Sequence, residues 1–131
     1  MNKLLILAFT LAASFNVAAS QNVTVLTNLD GMTLYTFDKD SPNNSHCYDS
    51  CATSWPPYLV TSSDAARPGW GVTMREDGST QHTFQGKPLY LWVGDQHTGD
   101  RTGDGIGGVW HTATKKAKTE HSQSGSSYSG Y

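Results

Sequence analysis

The sequence lacks the features that identify most enzymes and nucleic-acid-binding proteins. It contains no GxSxG or HExxH motif, no glycine-rich phosphate loop and no recognisable set of nucleophile, base and acid. Its nine basic residues form no large patch, because a glutamate interrupts the one cationic cluster, TKKAKTEH. The composition therefore predicts a protein that is not an enzyme, has no resident cofactor and does not bind nucleic acid.

Aliphatic residues are scarce after residue 20, so the core must come mainly from aromatic side chains. Each ring buries a large area, and eight rings could support a domain of about 90 residues. The candidate core rings are Tyr35, Phe37, Trp55, Trp70, Phe84, Tyr90, Trp92 and Trp110.

Residues 1–20 have the pattern of a secretory signal peptide. Lys3 precedes an apolar run over residues 4–13, and the small residues VAAS follow. The run is too short for a stable membrane span. Cleavage after Ala19 or Ser20 would remove Lys3 and change the net charge from −2 to −3. The sequence predicts a periplasmic or secreted protein with no membrane span and a partner in the envelope or outside the cell.

The remainder of the chain favours β-structure. Alternating or β-branched segments separated by turn residues predict strands at NVTVLTN, TLYTF, YLVT, WGVTMRE, STQHTF, LYLWV and VWHTA. The one helical element expected in the mature chain is a single turn at residues 48–53. Residues 114–131 are polar and rich in glycine and serine, which predicts a flexible low-complexity tail.

One phrase occurs twice, as GMTLYTFDKD from Gly31 and as GKPLYLWVGD from Gly86. The register of 55 residues continues through unlike loops to a second shared tryptophan, so we interpret the repeat as an internal duplication. The matching pairs are Leu34 and Leu89, Tyr35 and Tyr90, Phe37 and Trp92, Asp40 and Asp95, and Trp55 and Trp110.

Each residue type of the repeated phrase has a structural role that the strand geometry explains. In a strand, a tyrosine and the aromatic residue two positions later point to the same face. Asp40 and Asp95 fall where the strands end, and their carboxylates can accept hydrogen bonds from amides of the following loop. Because each half alone buries too little, we predict a small, duplicated, all-β antiparallel domain over residues 21–113 with pseudo-twofold-related halves. Repeat 1 covers about residues 22–60 and repeat 2 about residues 70–113.

The repeated Tyr-x-aromatic-x-x-Asp pattern resembles the bacterial secreted-repeat family, many of whose members are predicted lipoproteins. CYDSCATSWPP in the first copy and GDRTGDGIGGVWH in the second also carry the resemblance, which spans Val23 to Thr112. The chain departs from the lipoprotein pattern because no cysteine lies at the predicted cleavage point. The resemblance implies a duplicated extracytoplasmic domain and no established activity.

Cys47 and Cys51 are the two cysteines of the chain. Export leads to an oxidising compartment, which favours a short-range disulfide between them. Together with His46 they could instead bind Cu(I) or zinc, since thiolate and imidazole suit both metals. A redox-active pair lacks the usual CxxC spacing.

The loop GDQHTGDRTGDGIGG contains three Gly-Asp pairs, at Asp95, Asp100 and Asp104. Such oxygen-rich loops can bind calcium, or their carboxylates can cap their own backbone. The leading hypothesis is an exported, non-enzymatic binding or structural module of the bacterial envelope or extracellular space. The alternative is a periplasmic metal-binding protein that uses either of these two clusters.

Overall fold

The computed structural model describes residue 14 and residues 22–61 and 66–117. In these residues, short strands alternate with long turns, as expected for a chain in which glycine, aspartate and asparagine interrupt every alternating segment. The strands are β1 (Val23–Val25), β2 (Tyr35–Phe37), β3 (Trp70–Met74), β4 (Thr80–Phe84), β5 (Lys87–Pro88), β6 (Trp110–Thr112) and β7 (Thr114–Lys116). The helical elements are α1 (Ser50–Ser54) and a 3₁₀ turn (Ile106–Gly108).

The strands form three small antiparallel sheets. β1 pairs with β7, β2 pairs with β6, and β3, β4 and β5 form a three-stranded meander. The β1–β7 and β2–β6 pairs join the first repeat to the second, so neither half is a separate unit. The predicted all-β fold with duplicated halves and one short-range disulfide is confirmed. The helix α1 lies where the sequence predicted a helical turn, and the 3₁₀ turn lies at the matching place in the second repeat.

Three predictions of secondary structure need correction, and the first is the strand YLVT, where the structure has only an isolated bridge between Leu59 and Gln81. The first residues assigned to the flexible tail form β7, whose backbone pairs with β1. All three side chains of β7 are exposed, so no alternation of buried residues signalled the strand. The segment LYLWV is not one continuous strand. After β5 the chain no longer pairs with β4 as a strand. Tyr90 instead forms isolated bridges to Tyr35 and Pro57.

Some sequence predictions fall outside the described residues. The signal peptide lies there apart from residue 14, as does the tail beyond residue 117. In the part of the chain that the structure describes, no helix has the length and apolar character needed to cross a membrane.

The core consists of two clusters on opposite sides of the repeated phrase. Neighbouring residues of a strand point to opposite faces, so Leu34 and Tyr35 enter different clusters, as do Leu89 and Tyr90. The first cluster contains Leu26, Leu34, Phe84, Leu89 and Ala113. The second contains Tyr35, Cys47, Trp55, Tyr90 and Trp110.

Candidate functional site

The two copies of the phrase meet at their tyrosines. The amide of Tyr35 donates to the carbonyl of Tyr90 at 2.8 Å, and the amide of Tyr90 donates to the carbonyl of Tyr35 at 2.9 Å. Both side chains are fully buried. Equivalent residues that exchange equivalent bonds place the pseudo-twofold axis between these two residues.

The motif aspartates join the halves as well as their own loops. The Tyr35 hydroxyl donates to Asp95 Oδ2 at 2.6 Å, and the Tyr90 hydroxyl donates to Asp40 Oδ2 at 2.7 Å. Each tyrosine thus binds the aspartate of the other copy. The remaining carboxylate oxygens accept from the next loop, Asp40 from the His46 amide at 2.8 Å and Asp95 from the Thr102 amide at 2.9 Å.

Sequence reasoning identified the loop contacts of these aspartates but not the exchange between copies. The exchange could have been inferred from the tyrosine at a core position of each strand, because a buried phenol needs a hydrogen-bond partner. Pseudo-twofold packing places the aspartate of the other copy next to each tyrosine hydroxyl.

Burial changes the titration of these groups. Burial raises the pKa of Tyr35 well above its usual range, and the hydrogen bond to Asp95 raises that pKa further. Burial also raises the pKa of Tyr90, and the Asp40 carboxylate adds to this. The pKa of Asp40 itself is raised by burial, although the hydrogen bonds from Tyr90 and His46 oppose the shift. Both phenols therefore remain protonated donors at neutral pH.

Four rings of the repeated motifs form one continuous stack in the order Phe37, Trp110, Trp55, Trp92. The centroid separations along the stack are 4.2, 3.8 and 4.2 Å. Tyr35 packs edge-on against Trp55 at 5.4 Å, and Tyr90 packs edge-on against Trp110 at 5.2 Å. Six of the eight predicted core rings thus lie together as symmetric pairs. Of the other two, Phe84 lies in the first cluster and Trp70 packs against it.

Sequence reasoning missed a buried arginine that binds the backbone of Cys47, a member of the second core cluster. The Arg75 guanidinium donates to Ser45 Oγ and Gln81 Oε1, both at 2.9 Å, and to the Cys47 carbonyl at 2.7 Å. Ser45 Oγ lies 2.6 Å from the Tyr90 hydroxyl. Since Ser45 accepts from Arg75 and Tyr90 donates to Asp40, the proton of Ser45 is directed toward Tyr90. The chain of bonds connects a buried cation to a carboxylate.

The predicted copper or zinc ligands are engaged in this oxidised state. Cys47 and Cys51 form a disulfide of 2.06 Å. Their sulfurs therefore offer no thiolate to a metal, and His46 Nε2 lies 2.9 Å from Ser41 Oγ.

The predicted calcium ligands also have partners within the protein. Asp100 Oδ2 accepts from the amides of Gln96 and His97 at 2.9 and 3.0 Å, and Asp104 Oδ1 accepts from the Thr112 amide at 3.0 Å. Among the described residues, no group of three or more histidine, cysteine or acidic side chains has an arrangement suited to a metal ion.

A wide open groove of about 1370 Å³ lies between the β1–β7 pair and the meander. Its walls come from both ends of the described chain and from the turns that flank β3 and β4. The lining residues are Val23, Thr24, Val25, Leu26, Thr27, Arg67, Pro68, Gly69, Trp70, Phe84, Gln85, Lys87, Thr114, Lys115, Lys116 and Ala117. We refer to this surface as the basic groove.

Charge is segregated between the basic groove and the rest of the surface. The described residues include seven basic side chains, of which Arg75 is buried. Four of the other six line the groove, and none of the nine described acidic residues does. The four are Arg67, Lys87, Lys115 and Lys116. A chain with a net charge of −2 thus presents one locally cationic concave surface.

The duplicated phrase, the exchanged tyrosine contacts and the shared ring stack define a two-repeat β module. A family model described as "Secreted repeat of unknown function" matches residues 17–58 and 71–114. The chain belongs to this family of secreted repeats, which confirms the family predicted from the sequence. Comparisons with curated proteins and with solved structures returned no match.

Proposed function

We propose that the protein is an exported, non-enzymatic binding module that acts in the periplasm or outside the cell. We propose further that it binds anionic partners in the basic groove. The observation that carries this proposal is the segregation of charge, with four basic residues and no described acidic residue lining one concave surface. Membership of a family described as secreted supports the location outside the cytoplasm.

The electrostatic argument depends on distance. At physiological ionic strength, charges separated by more than about 8 Å are largely screened. A ligand inside the groove therefore interacts mainly with the basic residues that line it. A concave surface lined by charges of one sign also focuses the potential and raises the local concentration of counter-charged ligands. Binding to anions is expected in spite of the negative net charge.

The repeated motif has a different role in this proposal. Asp40 and Asp95 hold their loops and the opposite tyrosines, and both tyrosines are fully buried. These contacts support a structural role for the motif, which fixes the two halves and so the walls of the groove. β1 and β7, one wall of the groove, join the two ends of the duplicated domain.

Retention on a polyanionic resin tests the proposal. At low salt the mature wild-type protein should be retained on phosphocellulose and should elute as the salt concentration rises. The double variant Lys115→Gln/Lys116→Gln should elute much earlier. The control variant Lys39→Gln/Arg101→Gln has the same net charge but changes residues outside the groove, so it should elute like wild type. Equal loss of retention in both variants, or no retention of wild type, would overturn the proposal.

Metal binding remains a competing proposal that these observations support less well. Calcium would bind through Asp95, Asp100 and Asp104, and copper or zinc would bind through His46 and the reduced cysteines. A rise in the wild-type melting temperature with calcium, absent in Asp100→Asn, would favour the calcium site.

A further inference from the structure

We propose that the basic groove binds a carboxylated polysaccharide, with sugar carboxylates on the basic side chains and sugar rings and hydroxyls along the neutral part of the lining. This proposal rests on the proposed function and specifies the class of anionic ligand. It assigns a ligand class to a surface to which the duplicated phrase contributes only Lys87.

The size and shape of the groove favour a chain-like ligand. Pockets for drug-sized molecules are typically about 300–1,000 Å³ and bury most of the ligand. The groove has about 1370 Å³ and is open to solvent. An extended polymer can lie in such a groove, whereas the flat surface of a membrane cannot enter a concave one.

The basic side chains come from three separate segments of the chain. Arg67 precedes β3, Lys87 lies in β5, and Lys115 and Lys116 are neighbours in β7 on the other wall, so one of these two side chains faces the groove. Cations that are distributed over both walls fit a ligand whose negative charges recur along its length. A single phosphate or carboxylate would be bound by a more compact set of donors.

The neutral lining matches the chemistry of a sugar. Thr24, Thr27, Gln85 and Thr114 provide hydroxyl and amide groups that both donate and accept hydrogen bonds. The Arg67 guanidinium lies over the Trp70 indole, 3.7 Å from the centroid of that ring, and so occupies one of its faces. This stacking holds the Arg67 cation at the groove, where a sugar carboxylate can reach it.

Other polyanions fit less well. A protein that contacts 6–10 phosphates of a nucleic acid does so with a similar number of basic side chains, whereas four basic residues line the groove. Acidic peptide motifs are typically recognised by clusters of arginine. The basic residues of this lining are instead one arginine and three lysines, which come from three separate segments.

Calorimetric titration with defined oligosaccharides tests the proposal. The ligand is an oligogalacturonate of eight to ten sugars, and its matched control is the same oligomer with methyl-esterified carboxylates, which keeps the sugar and removes the charge. Poly-glutamate of equal charge keeps the charge and removes the sugar. We expect the oligogalacturonate to bind at least tenfold more tightly than either control. The variant Lys115→Gln/Lys116→Gln should lose at least tenfold in affinity, and Lys39→Gln/Arg101→Gln should lose less than twofold.

The outcomes separate this inference from the proposed function. Equal or tighter binding of poly-glutamate, or preferential binding to anionic phospholipid vesicles, would overturn the polysaccharide assignment and leave the anion-binding function intact. If the esterified and the acidic oligomer bound with equal affinity, the role of the basic side chains would be overturned. Failure of all these polyanions to bind, together with no retention on phosphocellulose, would overturn both proposals. Matching melting temperatures of the two double variants would show that both are folded.

Discussion

The indole rings of Trp55 and Trp110 lie almost parallel, with centroids 3.8 Å apart and an angle of 3° between the planes. The two residues occupy equivalent positions in the repeats, and each is only 5% exposed. Equivalent residues that stack on each other must lie at the pseudo-twofold axis. Each repeat therefore completes its core with the tryptophan of the other repeat, which explains why the phrase is written twice.

Removal of either tryptophan should destabilise the whole domain. Trp55→Ala and Trp110→Ala should each lower the free energy of unfolding by about 3–5 kcal/mol, because each leaves a ring-sized cavity in the shared stack. Chemical denaturation followed by circular dichroism measures the effect. Val72→Ala, at an exposed position of β3, is the control and should change stability by less than about 0.5 kcal/mol. A harmless Trp110→Ala would contradict the shared core.

The exchanged tyrosine and aspartate contacts predict energetic coupling between the repeats. Asp95→Ala should cost about 1–3 kcal/mol because it leaves the buried Tyr35 hydroxyl without its acceptor. Asp95→Asn should be intermediate, since both carboxylate oxygens accept hydrogen bonds and an amide offers only one acceptor oxygen.

A double-mutant cycle measures this coupling directly. Tyr35→Phe combined with Asp95→Ala should show an interaction energy of about 0.5–3 kcal/mol. The control cycle pairs Tyr35→Phe with Asp40→Ala and should be nearly additive, because Asp40 accepts from Tyr90 and not from Tyr35. Strong coupling in the control cycle and none in the first would mean that the contacts run within the repeats.

Stability should decline at alkaline pH because of the two buried tyrosines. Burial raises the pKa of Tyr35 and Tyr90 above the usual 10.0, so the unfolded state releases these protons at lower pH than the folded state. The stabilisation is complete below pH 10 and is lost as the pH rises above it, by up to about 1.4 kcal/mol per pH unit for each tyrosine. Urea unfolding between pH 8 and 11.5 measures the slope. Tyr35→Phe should reduce the slope, and an unchanged slope in that variant would contradict the assignment.

The disulfide should stabilise the domain modestly. Cys47 and Cys51 close a very short loop, so replacing both by serine should lower stability by about 2 kcal/mol without abolishing the fold. Alkylation of the exported protein without prior reduction, followed by intact mass, should add no label. Labelling of both cysteines under those conditions would show that they are not bonded to each other.

The sequence predicted the fold best where the pattern was written twice. The constant offset that relates Tyr35 to Tyr90 identified the duplication. The core rings could be identified as well, because the alternation of residues within each copy indicates which side chains are buried. The strand β7 could not be predicted, since its side chains are all exposed and it is held by backbone pairing with β1. Partners that are distant in sequence leave no local pattern.

The candidate site was harder to predict, because its residues are also distant from one another in the sequence. Arg67 and Lys87 are isolated in the sequence and distant from the cluster that contains Lys115 and Lys116, and the groove exists only because the fold brings these segments together. Arg75 lies in the predicted strand WGVTMRE, and no local pattern indicated that its guanidinium is buried against Ser45. In contrast, Asp40 and Asp95 each bind the loop that follows them, so their loop contacts could be inferred from position alone.

Backbone amide chemical shifts, followed during titration with oligogalacturonate, test most directly that the basic groove is the binding surface. The duplicated domain is small enough for every described amide to be followed. We expect the largest changes at residues 23–27, 67–70 and 114–117, with the amides around Asp100 unchanged. Changes concentrated in the loop of residues 95–104, with residues 23–27 and 114–117 unaffected, would contradict the account.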